Sequence, residues 1–70
     1  MPKLTKKELE IVKLLCLENK KIGERLGISR ATVQTHIENI RYKVESISRA
    51  GILIELIKAG ILNIDDVVTN

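Results

Sequence analysis

Ile22-Gly23-Glu24-Arg25-Leu26-Gly27-Ile28-Ser29-Arg30-Ala31-Thr32-Val33-Gln34-Thr35-His36-Ile37 reads as a short helix, a tight turn and the start of a second helix. Ile22 and Leu26 lie four apart on one helical face, and Gly23 beside them leaves room for another helix to cross closely. Gly27 is suited to end the helix, because the residue just past a helix end often takes a left-handed backbone that glycine adopts without a Cβ clash. Ile28 plugs the turn. Ser29 is a favoured N-cap, so the next helix is expected to begin at Arg30.

At about 100° per residue, Val33, Ile37, Ile40 and Val44 form one narrow stripe of this second helix, which must face a core. The opposite side carries Ala31, Gln34, Thr35, Glu38 and, two turns on, Tyr42. Side chains with short hydrogen-bonding tips can read base edges: Gln pairs with adenine N6/N7, Glu accepts from cytosine N4, and Ala or Thr touches a thymine methyl. The other reading is an ordinary solvated surface, and the preceding glycine turn and N-cap favour a reading helix.

Upstream, Thr5 and Glu8 make a capping box that opens a helix with Leu9, Ile11, Val12, Leu15 and Cys16 on its apolar side. Asn19 marks a stop and restart. Lys20 and Lys21 follow at the mouth of the next helix, where free amides and two ammonium groups suit a DNA phosphate or simple solvation. Downstream, Glu45-Ser46-Ile47 is a connector, Ser48 a cap, and a fourth helix runs to about Ala59 with Gly60 as terminator. Four helices and no strand signal make the expected fold all-α.

Seventy residues make one domain, small enough that a partner subunit would help its stability. With one Tyr and no Phe or Trp, the core must be aliphatic, and an aromatic platform for single-stranded nucleic acid is not expected. The net charge of +3 is uneven: residues 1–45 hold ten Lys/Arg against six Asp/Glu, and residues 46–70 hold two against three. A basic front suits a phosphate backbone. Cys16, the only cysteine, permits no internal disulfide and reads as a buried small hydrophobe. His36, the only histidine, stands on the shoulder of the Val33/Ile37 stripe with no metal-ligand or nucleophile partners at useful spacing. No cofactor, metal or enzyme chemistry is expected, and no signal peptide, repeat or membrane span is present in the pattern.

The fourth helix is apolar on more than one face. Leu53 and Leu56 can serve the core, while Ile54, Ile57 and Ile61, with Lys58 at their edge, form a second stripe that needs cover. Pairing with a second copy would bury it and set two reading helices about 34 Å apart, as a palindromic operator requires. The alternative is a fully buried helix in a monomer.

Leu4-Thr5-x-x-Glu8-x-Glu10-Ile11-Val12-x-Leu14-Leu15, the turn segment, Thr32-Val33-x-x-His36-Ile37, Lys43-Val44, Arg49 and Gly60-Ile61-Leu62 together resemble the LuxR/GerE-type transcription regulators. The resemblance spans Leu4 to about Leu62. It implies a four-helix helix-turn-helix DNA-binding domain over residues 1–62, dimeric through its last helix, with the third helix, about Arg30 to Val44, in the major groove of double-stranded DNA. Residues 63–70 are then a short tail, either a solvated end or an extension of the fourth helix. In the family this domain is often the output end of a longer regulator; here the motif begins close to Met1, as expected of a standalone member or an excised fragment.

The resemblance places Gln34, Thr35 and Glu38, with Ala31 beside them, at base-reading positions. It places Lys20, Lys21, Thr32 and Lys43 at backbone-contacting ones, and Ser29, Arg30 and Arg41 complete the expected phosphate-facing set. Two departures stand out: position 34 is commonly Lys in the family, and the turn between Leu15 and Ile22 is about two residues shorter and lacks the usual glycine. The function expected is sequence-specific transcription regulation in the cytoplasm, by a homodimer that also meets RNA polymerase. Two rivals remain: a protein-interaction module that keeps the helix-turn-helix as a scaffold, and a sigma-factor-like promoter-recognition fragment.

Overall fold

Thr5 opens the first helix by reciprocal hydrogen bonds. Its Oγ1 accepts from the Glu8 N–H at 3.1 Å, and Glu8 Oε1 accepts from the Thr5 N–H at 2.8 Å. These bonds satisfy two of the free amides that every helix start leaves over, as the expected capping box requires. The computed structural model describes residues 3–69. Residues 1, 2 and 70, which the expected domain and tail include, lie outside the described residues.

Helix α1 (Lys6–Val12) stops sooner than its apolar run. Tight turns follow, with Leu14 N–H donating to Ile11 O and Leu17 N–H to Leu14 O, both at 2.9 Å. The change of register carries Leu14, Leu15 and Leu17 into the core and turns Cys16 outward. The expectation of a buried Cys16 on a continuous helix is therefore corrected: the apolar run is partly turn, and the cysteine sits on its wet side.

Helix α2 (Asn19–Leu26) begins after Glu18 and ends at Gly27, whose φ of 69° is the left-handed conformation read from the sequence. Gly23 has a different use from the one expected. A Cβ there would come within 2.5 Å of the Ile28 carbonyl oxygen, so the close approach is made by the turn's own backbone as it folds back over α2. Ser29 then caps helix α3 (Arg30–Val44), its Oγ accepting from the Thr32 N–H at 3.1 Å.

Val33, Ile37, Ile40 and Val44 are all buried, and α3 packs against each of α1, α2 and α4. It is the central strut of an assembly measuring 28 × 24 × 20 Å. Helix α4 (Arg49–Lys58) starts at Ser48, whose Oγ accepts from the Gly51 N–H at 2.9 Å. Ile52 and Leu56 are its innermost residues; Leu56 is buried as expected, while Ile52 takes the inner place expected of Leu53, which is only partly buried.

After Gly60 the chain makes a single 3-10 turn, Ile64–Asp66. Asn63 to Asp66 are solvent-exposed, as one of the two readings has it, but the described tail neither extends α4 nor stays free of the core. Val67 and Val68 pack against the core, and the Val68 N–H donates to the Lys13 carbonyl at 2.8 Å. The core is aliphatic, as the composition required, and no strand occurs among the described residues.

Candidate nucleic-acid interface

The buried stripe of α3 fixes which side of that helix faces outward. Ala31, Gln34, Thr35 and Glu38 are all exposed on it, and Tyr42 continues the surface at 87% exposure. Because four core residues and a capped N-terminus hold the helix, these tips sit on a rigid platform rather than on a loop. Thr35 is tied to its own helix, its Oγ1 donating to the Ala31 carbonyl at 3.1 Å.

Gln34 and Glu38, one turn apart, are linked: Gln34 Nε2 donates to Glu38 Oε1 at 2.6 Å. The same carboxylate oxygen faces Arg41 Nη1 at 3.4 Å. On its other side Gln34 Oε1 accepts from Asn19 Nδ2 at 2.9 Å, and Asn19 Oδ1 accepts from Arg49 Nη1 at 2.7 Å. Arg49 also donates from Nε to the Leu15 carbonyl at 3.0 Å and from Nη2 to the Leu17 carbonyl at 2.6 Å. One guanidinium thus closes the short α1–α2 turn and reaches, through Asn19, to the outward face of α3. Burial, together with the nearby Arg41 charge, draws the Arg49 guanidinium below its ordinary value.

Neither Asn19 nor Arg49 was read as a site residue in the sequence. A signal existed for Arg49: it occupies the first position of α4, where the positive end of the helix dipole disfavours a cation unless another group claims it. Asn19 gave no comparable signal, since its partners lie 15 and 30 residues away.

The expected phosphate-facing residues divide into groups. Lys20 and Arg30 are exposed and line one shallow cleft of about 340 Å³ with Glu18 and Asn19, between the starts of α2 and α3. Lys21 is exposed beside them. Ser29 and Thr32 share a hydroxyl hydrogen bond of 2.9 Å at the α3 cap. Arg41 lies half-buried against Glu38, with its Nε enclosed and unpartnered. Lys43 stands apart: its Nζ is 2.7 Å from Glu8 Oε1, and the Glu8 side chain is only 5% exposed. The Lys43 side chain is 29% exposed, and this ion pair gives it a structural role beside the backbone-contacting one expected of it. Burial alone would raise the Glu8 carboxyl; the hydrogen bonds from Lys43 and Thr5 outweigh it and hold the group below its ordinary value.

On α4, Ile54 is 56% exposed and Ile61, beyond the helix, 41%, with Lys58 exposed beside them. Ile57 instead turns partly into the core. No group of His, Cys, Asp and Glu among the described residues could hold a metal ion, and no described helix is long and apolar enough to cross a membrane.

The arrangement of capped turn, core-anchored α3 and α4 agrees with comparison against known proteins. Residues 2–56 match the family model described as bacterial regulatory proteins, luxR family. The chain belongs to that family. Among curated relatives, this luxR-family chain is 37% identical over 65 residues to the spore germination protein GerE of Bacillus subtilis (strain 168), covering 90% of the chain and 88% of GerE. It is 39% identical over 59 residues to the transcriptional regulatory protein DegU of Brevibacillus brevis, covering 81% of the chain and 25% of DegU. It is 52% identical over 44 residues to the transcriptional regulatory protein LiaR of Bacillus subtilis (strain 168), covering 60% of the chain and 21% of LiaR. The chain therefore spans about a quarter or less of those two longer regulators. No solved structure matches it. The family is one of DNA-binding transcription regulators with a helix-turn-helix, not of enzymes.

Proposed function

We propose that this chain binds double-stranded DNA in a sequence-specific manner and so regulates transcription, with α3 in the major groove. The observation that carries the reading is the outward face of α3, where Ala31, Gln34, Thr35 and Glu38 stand exposed on a helix fixed by four buried residues. Lys20, Lys21 and Arg30, clustered around the starts of α2 and α3, anchor it on phosphates, with Ser29 and Thr32 adding hydroxyl donors. Lys43 is left out of that set because Glu8 holds it. A homodimer formed over Ile54, Ile61, Lys58 and the rim of Ile57 reads a palindromic operator, in the cytoplasm, where RNA polymerase is the further partner.

Selection of bound duplexes from random sequence, repeated at several salt concentrations, tests this reading. Phosphate anchoring predicts log affinity falling with log salt at about −0.9 per contact, together with an enriched palindrome. Weak binding without enrichment would overturn it. Gln34→Ala should relax preference at one base position at a cost of about 1 to 3 kcal/mol while leaving the others unchanged. Equal losses on every sequence would remove Gln34 from the reading set.

A further inference from the structure

We infer that Asn19 is a specificity-positioning residue: held by Arg49, it fixes which end of the Gln34 amide is offered to a base edge. The inference rests on the proposed reading that the outward face of α3 meets DNA.

A primary amide has a donor end and an acceptor end of nearly the same shape, so a glutamine on a reading helix is ambiguous until something orients it. Here the ambiguity is removed from a distance. Arginine has donors and no acceptor, so the atom 2.7 Å from Arg49 Nη1 must be the Asn19 oxygen. Asn19 then turns its NH2 toward Gln34, and the atom it meets at 2.9 Å must be the Gln34 oxygen. Gln34 is left with Nε2 outward, donating to Glu38 Oε1 at 2.6 Å with its second hydrogen still to give. The direction of the first two bonds follows from one donor-only group on another helix, and the acceptor-only Glu38 favours the same end of Gln34.

The face therefore presents a donor at Gln34 and, one turn on, a carboxylate acceptor at Glu38. A donor finds acceptors on guanine O6 and N7, thymine O4 and adenine N7 but none on cytosine; the carboxylate seeks the amino group of cytosine or adenine. Without the relay, only the exposed Glu38 carboxylate would hold the amide, and Gln34 could turn its oxygen outward whenever Glu38 swings away. Asn19 touches no base in this scheme and acts only through Gln34.

Asn19→Asp tests it, because the change keeps the shape and the Arg49 contact while replacing the donor toward Gln34 with an acceptor. Gln34 then has an acceptor on each side; the one at position 19 is fixed by Arg49, whereas Glu38 is 52% exposed and free to swing away, so Gln34 gives Nε2 to the new carboxylate and turns its oxygen outward. Duplex selection with the wild type, Asn19→Asp and Gln34→Ala should show one position relaxed by Gln34→Ala. At that position Asn19→Asp should move preference from guanine or thymine, which offer only acceptors there, toward cytosine, which offers only a donor, by roughly tenfold. The added negative charge lowers affinity for all sequences alike, so the readout is relative preference within each selection. Unchanged preference at that position, or an equal change at all positions, would overturn the inference. A Gln34→Ala profile relaxed nowhere would overturn the base-facing reading itself and the inference with it.

A measurement without DNA separates the two. In the free protein, Asn19→Asp should shift the Gln34 side-chain amide resonances in a nitrogen–proton spectrum while backbone resonances of α3 stay in place. Gln34 resonances indifferent to position 19 would overturn the relay while leaving base reading standing.

Discussion

Glu45 is the residue most at odds with its own backbone. It ends α3 with φ 59° and ψ 40°, the left-handed region that a side chain with a Cβ enters at a cost of about 1 kcal/mol. It also sets a carboxylate at the negative end of the helix dipole. Glu45→Gly should raise stability by about 1 kcal/mol, read as a shift of the denaturation midpoint at unchanged slope. The sequence held this clue, because Glu45 occupies the C-cap position where glycine is favoured. Gly27, at φ 69°, shows the ordinary solution to the same problem at the end of α2.

Elements were legible where their signals were local. Thr5 with Glu8, Ser29 with Thr32 and Ser48 with Gly51 are caps three residues apart, and each marks its helix start as read from the sequence. The buried stripe of α3 was legible because a single period runs through fifteen residues. The end of α1 was not: an unbroken apolar run looks the same whether it continues a helix or folds into tight turns, and Cys16 was misplaced for that reason. The partner of Lys43 was not legible either, since a lysine in the last turn of α3 looks free until the fold brings it to Glu8, 35 residues away. That pair joins α1 to α3 and carries a pH dependence. Glu8 titrates lower folded than unfolded, so its stabilisation is complete above the ordinary glutamate value of about 4.3 and is lost as pH falls through the folded value. Lys43→Met should cost about 2 kcal/mol at neutral pH, by leaving a nearly buried carboxylate with fewer partners, and should flatten the acid limb of the stability profile. Thermal denaturation from pH 7 to pH 3 checks both. A uniform loss of DNA affinity from a folded Lys43→Met variant would return this residue to the phosphate-contacting set.

For the molecule as a whole, the question is whether α4 meets a second copy. Ile54 is the better probe than Ile57, because Ile57 also packs on the core and its replacement would confound folding with pairing. Ile54→Glu should leave thermal stability at low protein concentration within about 0.5 kcal/mol of the wild type and shift sedimentation from dimer to monomer. An unchanged dimer would place the interface elsewhere on the surface. The α1–α2 turn raises a different issue. Its Leu15 and Leu17 carbonyls are held by Arg49 of α4, and Val68 is tied to Lys13 at its start. A connecting loop is ordinarily the first part of a domain to open, exchanging its amide hydrogens in brief local excursions. This one can open only by breaking the Arg49 hydrogen bonds and drawing three buried leucines out of the core, so the amides of Leu14, Leu15 and Leu17 should exchange on the slow schedule of the core. A segment with the look of a hinge is then among the last places where solvent enters.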